Sequence, residues 1–400
     1  MSLSENTSPT TDPVERRIWE DELCFAPEDF AERLAITQND LSERGLAASL
    51  IFDPENMFWL TGYQTIGYFT FQAMFIPATG LPTVITRIVN RDMALALPTI
   101  GAVEPIYDTQ NHVDVLATFL TNNIPANANL GLETEARYLN VKDYKQLLDR
   151  SRLSFIDWDG FIQQQRIVKT DEQISRMRQA SRAVEAGIDA ALKAIAPGKT
   201  DNDVVAALYK GSLEAGSEYI GHPPMMVSGA RSALCFALWK RKTIQTGDVV
   251  LLEGAGCVDR YHSMMARSAV VGKPSDEHKA TAEALIGILD IAVDNIRPGI
   301  TAGEIDRLCR SSVEKKGLGK YFKSRTAYGI GIGFPPNWAE GHIYAIRPDE
   351  PMLIKPNMTF HVIPTMFRKD FGMAISDSVR VTEDGCELLT NYPRDLFVVD

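Results

Sequence analysis

The C-terminal half of the chain takes its fold from residues 247–268, which read GDVVLLEGAGCVDRYHSMMARS. The apolar start of this stretch predicts a strand over residues 248–253. Glu253 shares a strand face with Val249 and Leu251, because side chains alternate with a period of two. Such a face is normally buried, and an unpaired buried carboxylate is costly. Glu253 is therefore either a functional carboxylate, or a structural one paired within the fold, for instance with Arg267.

Helices surround this stretch. Thr170 and Gln173 have the spacing of a capping box, which predicts a long helix that runs to about Ala194. A second long helix is predicted over residues 276–296. Each is followed by a Pro-Gly pair, a Thr and another helix start, which indicates an internal duplication. Further strands are predicted over residues 268–271, 358–364 and 374–381, so the C-terminal half is predicted to be α+β.

The N-terminal half alternates strand and helix patterns, which is typical of an α/β domain. Helices are predicted over residues 30–44, 113–122 and 141–148, strands over 46–52, 73–77, 82–85 and 130–133, and a turn over 53–56. About the first 12 residues are rich in Ser, Thr, Pro and Asn and are predicted to be disordered. The predicted domains are residues 1–165 and 166–400.

Composition narrows the class of protein. The 400 residues carry a formal net charge of −11, which disfavours a nucleic-acid partner. The start of the chain lacks the pattern of a signal peptide, and no apolar run is long enough to cross a bilayer. The cysteines form no CxxC pair, which predicts reduced thiols and a cytoplasmic location; they are Cys24, Cys235, Cys257, Cys309 and Cys386.

Three blocks carry a family resemblance. Residues 247–268, residues 328–336 (YGIGIGFPP) and residues 358–364 (MTFHVIP) with 372–385 (GMAISDSVRVTEDG) resemble the signature blocks of the pita-bread family of creatinase, prolidase and aminopeptidase P. Their order, spacing and flanking glycines agree, and with residues 56–62 (NMFWLTG) and the junction at Arg166 the resemblance covers nearly the whole chain. It implies a creatinase/prolidase-type N-terminal domain and a pita-bread catalytic domain.

The metal ligands of that family are mostly replaced here. In its metal-dependent members two Asp, one His and two Glu hold a pair of divalent ions, and the matching positions are Glu253, Met264, Tyr328, Ile363 and Ser376. Hard divalent metals need several oxygen or imidazole ligands, and Met and Ile supply none. The two accessory histidines are replaced as well, by Phe236 and Pro335. We therefore expect no metal and no other cofactor.

Within the family the chain resembles the metal-free ectoine hydrolases and, more distantly, creatinase. The resemblance implies a metal-independent hydrolase that cleaves a non-peptide C–N bond of a small zwitterionic solute, with ectoine as the leading substrate. Glu253 matches the glutamate that is the proposed nucleophile of the ectoine hydrolases, although the residues leave open whether it attacks or activates water. The alternatives are a creatinase-like amidino hydrolase, a metal-dependent Xaa-Pro peptidase and a non-catalytic binding protein.

Each further candidate has two interpretations. His361 lies two positions before Ile363 and is expected to face the cavity as a general acid or base, or to be a core histidine. Tyr328 is a hydrogen-bond donor to a developing anion or fills space that the metals vacated. Arg347 matches the creatinase arginine that grips the substrate carboxylate, or is an exposed arginine.

The remaining candidates for substrate binding are aromatic and imidazole side chains. They either line a pocket or belong to the core and the surface, and they are Trp239, Trp338, Tyr63, Tyr68, His222 and His262. Relatives are homodimers in which the N-terminal domain covers the partner's active site. That resemblance implies a homodimer in which the loop between Tyr63 and Tyr68 completes the neighbour's pocket.

Overall fold

The computed structural model describes residues 23–400. The chain divides into two compact units between Ile162 and Gln163. The N-terminal segment that was predicted to be disordered lies outside the described residues. No helix among residues 23–400 combines the length and the apolar character that crossing a membrane requires.

The N-terminal unit is an α/β domain, as predicted. Its six-stranded sheet has the order β4-β3-β2-β1-β5-β6, with antiparallel pairing of β1 with β2 and of β2 with β3, and parallel pairing elsewhere. The strands are β1 (Leu46–Ile51), β2 (Ala73–Pro77), β3 (Thr83–Arg87), β4 (Ala102–Ile106), β5 (Asn129–Leu132) and β6 (Ser154–Asp157). The helices are α1 (Pro27–Glu43), α2 (Pro54–Thr61), α3 (Arg91–Leu95), α4 (His112–Asn123) and α5 (Val141–Ser151), and α6 (Phe161–Ile167) spans the boundary.

One predicted turn is wrong. Residues 53–56 begin the helix α2 instead, because Pro54 occupies its first turn and Gly62, with φ of 75°, ends it in the left-handed conformation. Asp53 lies at the N-cap position. The Glu133 carboxylate accepts hydrogen bonds from the backbone N–H groups of Phe52 and Asp53, at 2.6 and 2.9 Å, next to this helix start.

The C-terminal unit is α+β, as predicted. Its helices are α7 (Asp171–Ala194), α8 (Asp201–Glu214), α9 (Asp276–Asn295) and α10 (Ala302–Glu314). The strands are β7 (Met225–Ser228), β8 (Val249–Val258), β9 (Tyr261–Val271), β10 (Ala327–Gly329), β11 (Ala345–Ile346), β12 (Thr359–Val362), β13 (Thr365–Phe367), β14 (Gly372–Ala374), β15 (Asp377–Val381), β16 (Cys386–Leu388) and β17 (Leu396–Val399). They form sheets of order β17-β9-β8-β7, β11-β10-β12-β15-β16 and β13-β14.

The hairpin of β8 and β9 contains most of residues 247–268, the stretch with the GDVVLLEG pattern. Its register pairs Glu253 with Ala266 and Leu252 with Arg267. Asp259 and Arg260 form the connecting turn, both with positive φ, 48° and 64°. Because nearly every residue of the two strands is buried, the hairpin forms the centre of the unit and presents Glu253 to the strands that cross over it.

Candidate active site

A cavity of about 510 Å³ opens in the C-terminal unit, within the range that small-molecule sites occupy. Several walls are apolar, including Met225, Val227, Leu251, Ile363 and Phe367. The titratable side chains on its wall are His222, Cys235, Glu253, Arg325 and Tyr328. Strands β7, β8, β10, β13 and β14 therefore bring together residues that are distant in sequence.

Glu253 is the carboxylate of this cavity. Only 4% of the residue is exposed, and burial raises the pKa of its carboxyl to about 8, although the hydrogen bond from Tyr328 lowers it somewhat. The side chain does not pair with Arg267, whose guanidinium lies 3.0 Å from Asp377 instead. The register explains this, since Arg267 faces Leu252 across the hairpin and points to the other side of the sheet. Glu253 is thus mostly a neutral acid at neutral pH.

A chain of hydrogen bonds extends from Glu253 into the protein. The Tyr328 hydroxyl lies 3.4 Å from Glu253 Oε1 and 2.7 Å from His361 Nδ1. His361 Nε2 lies 2.6 Å from Ser376 Oγ, which accepts the backbone N–H of Ala266 at 2.7 Å. Tyr328 occupies the metal-histidine position and Ser376 a metal-glutamate position of the family, so these replacements contact one another through His361.

His361 does not line the cavity. Strand alternation predicted that it would face the same way as Ile363, but β12 ends at Val362 and the alternation does not continue to Ile363. Its side chain is fully buried and reaches the cavity only through Tyr328. Burial, and then the charge of Arg267, lower the pKa of His361 to about 3. The approach of His361 to Glu253, at 4.0 Å, is therefore not an ion pair at neutral pH.

Arg325 is the cationic side chain of the cavity, and the sequence analysis missed it. Its Nη1 donates to the Gly341 carbonyl at 2.6 Å, and its guanidinium lies 4.9 Å from the centre of the Tyr328 ring. No carboxylate in the described part of the chain pairs with it. Burial lowers the pKa of Arg325, but a guanidinium stays protonated in proteins. The sequence signal was its position three residues before Tyr328.

Arg347, which the resemblance suggested as the carboxylate clamp, does not reach the cavity. It follows the short edge strand β11 and is more than half exposed. Its guanidinium pairs at 2.8 Å with Glu350, three residues further along the chain. An equal distance along the sequence therefore did not preserve the direction of the side chain.

Two of the other candidates form one wall of the cavity. The rings of His222 and Trp338 are stacked, with centroids 3.5 Å apart and an interplanar angle of 26°. His222 Nδ1 lies 2.6 Å from the Pro223 carbonyl, so this nitrogen is the donor. Burial lowers the pKa of His222, and no hydrogen bond to its Nε2 occurs among residues 23–400.

The remaining candidates lie elsewhere. His262 is fully buried, where Nδ1 donates to the Arg260 carbonyl and Nε2 accepts from Gly221 N, so it is a structural histidine. Trp239 packs against the apolar cluster under α7 and α8 and is not on the cavity wall. Tyr63 and Tyr68 are buried in the N-terminal unit, with 1% and 5% of each residue exposed.

The residues of the site do not fit the dimetal centre of the family. Glu253 is the one carboxylate among the described residues that line the cavity, and residues 23–400 contain no group of three or more His, Cys, Asp or Glu side chains placed to hold a metal ion. Met264 and Ile363 offer no ligand atom to a hard divalent cation. The two nitrogens of His361 are both engaged in hydrogen bonds.

Known proteins resemble the chain over most of its length. An ectoine hydrolase from Halomonas elongata is 29% identical over 395 residues, covering 94% of this chain and 98% of that protein. An Xaa-Pro dipeptidase from Pyrococcus furiosus is 30% identical over 268 residues, covering 67% and 75%. The crystal structure of a prolidase from Thermococcus sibiricus superposes with a TM-score of 0.83 at 24% identity, covering 93% of this chain and 99% of that one.

Family profiles divide the chain in the same order as the fold. The creatinase/prolidase N-terminal domain matches residues 33–168, and metallopeptidase family M24 matches residues 175–383, more than half of the chain. The pita-bread architecture expected from the sequence blocks is confirmed by these matches and by the prolidase structure. With its two-domain fold and a family match over more than half of its length, the chain belongs to metallopeptidase family M24.

Proposed function

We propose that this protein is a metal-independent hydrolase that cleaves an amidine or amide-like C–N bond, outside peptides, in a small zwitterionic solute. Ectoine, or a close cyclic analogue, is the proposed substrate. The observation that carries the proposal is that one cavity contains both Glu253, a buried carboxyl whose pKa is raised to about 8, and Arg325, which has no carboxylate partner among residues 23–400. The ectoine hydrolase of Halomonas elongata, similar over nearly the whole chain, supports this choice of substrate class.

The two ends of the cavity suit the two charges of such a solute. Arg325 lies over the face of the Tyr328 ring, and the hydroxyl of the same ring approaches Glu253. The two groups are therefore separated by roughly the length of a phenol ring. A substrate carboxylate would pair with the guanidinium, and a cationic amidinium a few bonds away would reach Glu253. The stacked rings of His222 and Trp338 would cover a flat or cationic ring.

Glu253 supplies the reacting oxygen in this proposal. An amidinium beside Glu253 favours its ionised form, so substrate binding itself lowers the raised pKa of the carboxyl. One carboxylate oxygen then bonds to the amidine carbon, and the C–N bond breaks as a hydrogen of the other amidine nitrogen passes to the leaving nitrogen. Water then attacks the ester-like intermediate and releases the carboxylate of Glu253. One hydrogen of the water returns to the remaining nitrogen, which becomes the amide N–H of the product, and the other passes to a base, so atoms and charge balance over the two steps.

His222 is our proposed base for the water. Its Nδ1 is committed to the Pro223 carbonyl, and its lowered pKa leaves Nε2 unprotonated at neutral pH. The ring is held in place by Trp338. His361 is a poorer choice for this step, because both of its nitrogens are engaged and the side chain does not line the cavity.

We also propose a homodimer located in the cytoplasm. Tyr63 and Tyr68 are too buried to reach a neighbour, but the loop between them and its continuation expose Ile66 and Phe69, with 65% and 75% of each residue accessible. Exposed apolar side chains of this kind favour a protein contact. All five cysteines are free thiols, which suits a reducing compartment.

A substrate panel tests the proposed class. Purified protein is incubated with ectoine, hydroxyectoine, creatine and Xaa-Pro dipeptides, and each mixture is followed by mass spectrometry. We expect ring opening of a cyclic amidine, and turnover of creatine would favour the creatinase-like alternative. Turnover of dipeptides alone would contradict the proposal. Tight binding of a panel member without turnover would favour a binding protein.

A further inference from the structure

We infer that His361 is a positioning residue: Ser376 holds it in the tautomer with hydrogen on Nδ1, and its bond to Tyr328 directs the phenol hydrogen into the cavity. Tyr328 is then a hydrogen-bond donor to the reacting groups. The chemistry of those groups rests on the proposed function, but the direction of the hydrogen bonds follows from the protein alone.

Ser376 determines the direction of its hydrogen bond with His361. Its Oγ has one hydrogen to donate and two lone pairs. The backbone N–H of Ala266, at 2.7 Å, can only donate, so it occupies one lone pair. The other neighbour of Oγ is His361 Nε2 at 2.6 Å. If Nε2 carried the hydrogen, Ser376 would accept twice and its own hydrogen would have no acceptor in the described part of the chain.

That second arrangement is unfavourable because Ser376 and His361 are both fully buried, out of reach of solvent. A buried hydroxyl hydrogen without an acceptor loses its bond to water and gains nothing. Ser376 therefore donates to His361 Nε2. The imidazole is neutral in this setting, so its single hydrogen lies on Nδ1.

The tautomer of His361 determines where the phenol hydrogen of Tyr328 points. His361 Nδ1–H donates to the Tyr328 oxygen at 2.7 Å, so the phenol hydrogen must point elsewhere. Glu253 Oε1, at 3.4 Å, lies in the remaining direction on the cavity wall. The indole N–H of Trp338, which can only donate, also forms a hydrogen bond to the Tyr328 oxygen. This bond lowers the Tyr328 pKa, whereas burial raises it more strongly.

The chain of hydrogen bonds ends at a peptide group. Beyond Ser376 the next partner is the backbone N–H of Ala266 in β9, and a peptide N–H does not relay protons. The Nε2 side of His361 thus offers no route for protons, and its one link to the cavity is the hydrogen bond from Nδ1 to Tyr328. The sequence suggested that His361 shuttles the proton of the reaction, whereas this geometry assigns it the orientation of Tyr328.

Nitrogen-15 NMR of the free protein, labelled at its six histidines, tests this inference directly. The signals of His361 are assigned with a His361→Gln variant. We expect a protonated Nδ1 and an unprotonated Nε2 that persist throughout the neutral pH range. An Nε2–H tautomer would overturn the inference. Because no substrate is involved, this result is independent of whether the proposed function is correct.

Two variants link the tautomer to catalysis. Ser376→Ala removes the donor to Nε2, so we expect a mixture of tautomers and a tenfold or larger fall in kcat with a smaller change in KM. Ser376→Thr keeps the hydroxyl and should restore both the single tautomer and most of kcat. Equal losses in the two variants, with the tautomer unchanged in Ser376→Ala, would contradict the role given to Ser376 and His361.

Discussion

Glu253 and Glu340 are both buried glutamates of the C-terminal unit, but they differ in charge. No Lys or Arg side chain of residues 23–400 pairs with Glu253, and burial raises its pKa to about 8. Glu340 lies 2.7 Å from both Arg166 and Lys169; burial alone would raise its pKa, but the two cations outweigh burial and lower it. Glu340 thus stabilises the fold as an ion, whereas Glu253 is retained as an acid at a cost in stability, which is typical of a functional group.

A Glu253→Gln substitution should therefore make the protein more stable at high pH and inactive. The folded pKa exceeds the ordinary value of 4.5. The folded state holds an extra proton between these values, so the wild type loses stability relative to the variant as pH rises from about 4.5 to about 8. We expect a difference of a few kcal/mol above that window, measured by urea denaturation at several pH values.

Glu340→Gln is the matched control. It leaves two buried cations with a weaker partner and should destabilise the protein by roughly 3–5 kcal/mol at neutral pH. A Glu253→Gln variant that is destabilised to the same degree would show that Glu253 is an ionised structural carboxylate, the alternative that the sequence left open.

Arg325 and Arg347 provide a second comparison. Arg325→Gln should lower kcat/KM for a carboxylate-bearing substrate by about 10- to 100-fold, because a charge-assisted hydrogen bond in a cavity is lost. Arg347→Gln removes an exposed pair with Glu350 and a positive charge that helps to lower the pKa of Arg325, so it should change kcat/KM much less. Steady-state kinetics of the two variants shows which arginine binds the substrate carboxylate. A larger loss of kcat/KM in Arg347→Gln than in Arg325→Gln would restore Arg347 as the carboxylate clamp.

At the scale of single residues, the sequence indicated Glu253 and Tyr328 as site residues, since both lie in blocks with fixed spacing, and both line the cavity. It missed Arg325 and misplaced His361 and Arg347. The sequence gives the distance between two residues along the chain but not the direction of their side chains: β12 ends at Val362, so strand alternation does not connect His361 with Ile363, and Arg347 pairs with Glu350 at the surface.

At the scale of elements, the helix caps repeat within the C-terminal unit. The capping box predicted at Thr170 and Gln173 is present, and Thr200 and Thr301 begin α8 and α10 with the same motif. Because α7 and α9 are each followed by such a helix, the structure shows the same internal repeat that the sequence indicated.

Thr200→Ala and Thr301→Ala should each cost about 1 kcal/mol of stability, because each removes one acceptor for an unpaired N–H at a helix start. Their effects should be similar and should leave activity unchanged, since neither residue lines the cavity. Denaturant titration measures both, and a large loss in only one variant would contradict the equivalence of the two caps.

Helix starts were easier to predict than short connections. Capping boxes act through neighbours three residues apart, so the sequence alone contains them. The start of α2 at Pro54 resembled a turn, because Pro and Asn occur in both settings. The neighbouring carboxylate of Glu133, which lies far away in sequence, was not visible in that pattern.

At the scale of the whole molecule, the proposed dimer depends on an exposed apolar loop. Phe69→Ser should weaken self-association, because Phe69 would lose its apolar contact with the neighbour while stability of the domain changes little. Tyr107→Ser, also half exposed but polar at its tip, is the control. Sedimentation velocity measures both, and a wild-type monomer at all concentrations would contradict the dimer.

The order of the sequence blocks predicted the architecture of both domains, because each block carries the turn and strand signals of its own element. The cavity could not be predicted in the same way. Its walls come from residues as distant as His222 and Phe367, and only packing of the strands defines which of them face inward.

The measurement that tests the central claim most directly is turnover by protein freed of metal with a chelator, followed across pH for the wild type and Glu253→Gln. We expect full activity without metal, with kcat/KM rising as pH approaches about 8, where Glu253 ionises in the free protein. The variant should lose activity by roughly 100-fold or more. Activity that disappears with the chelator and returns with manganese or cobalt would contradict this expectation.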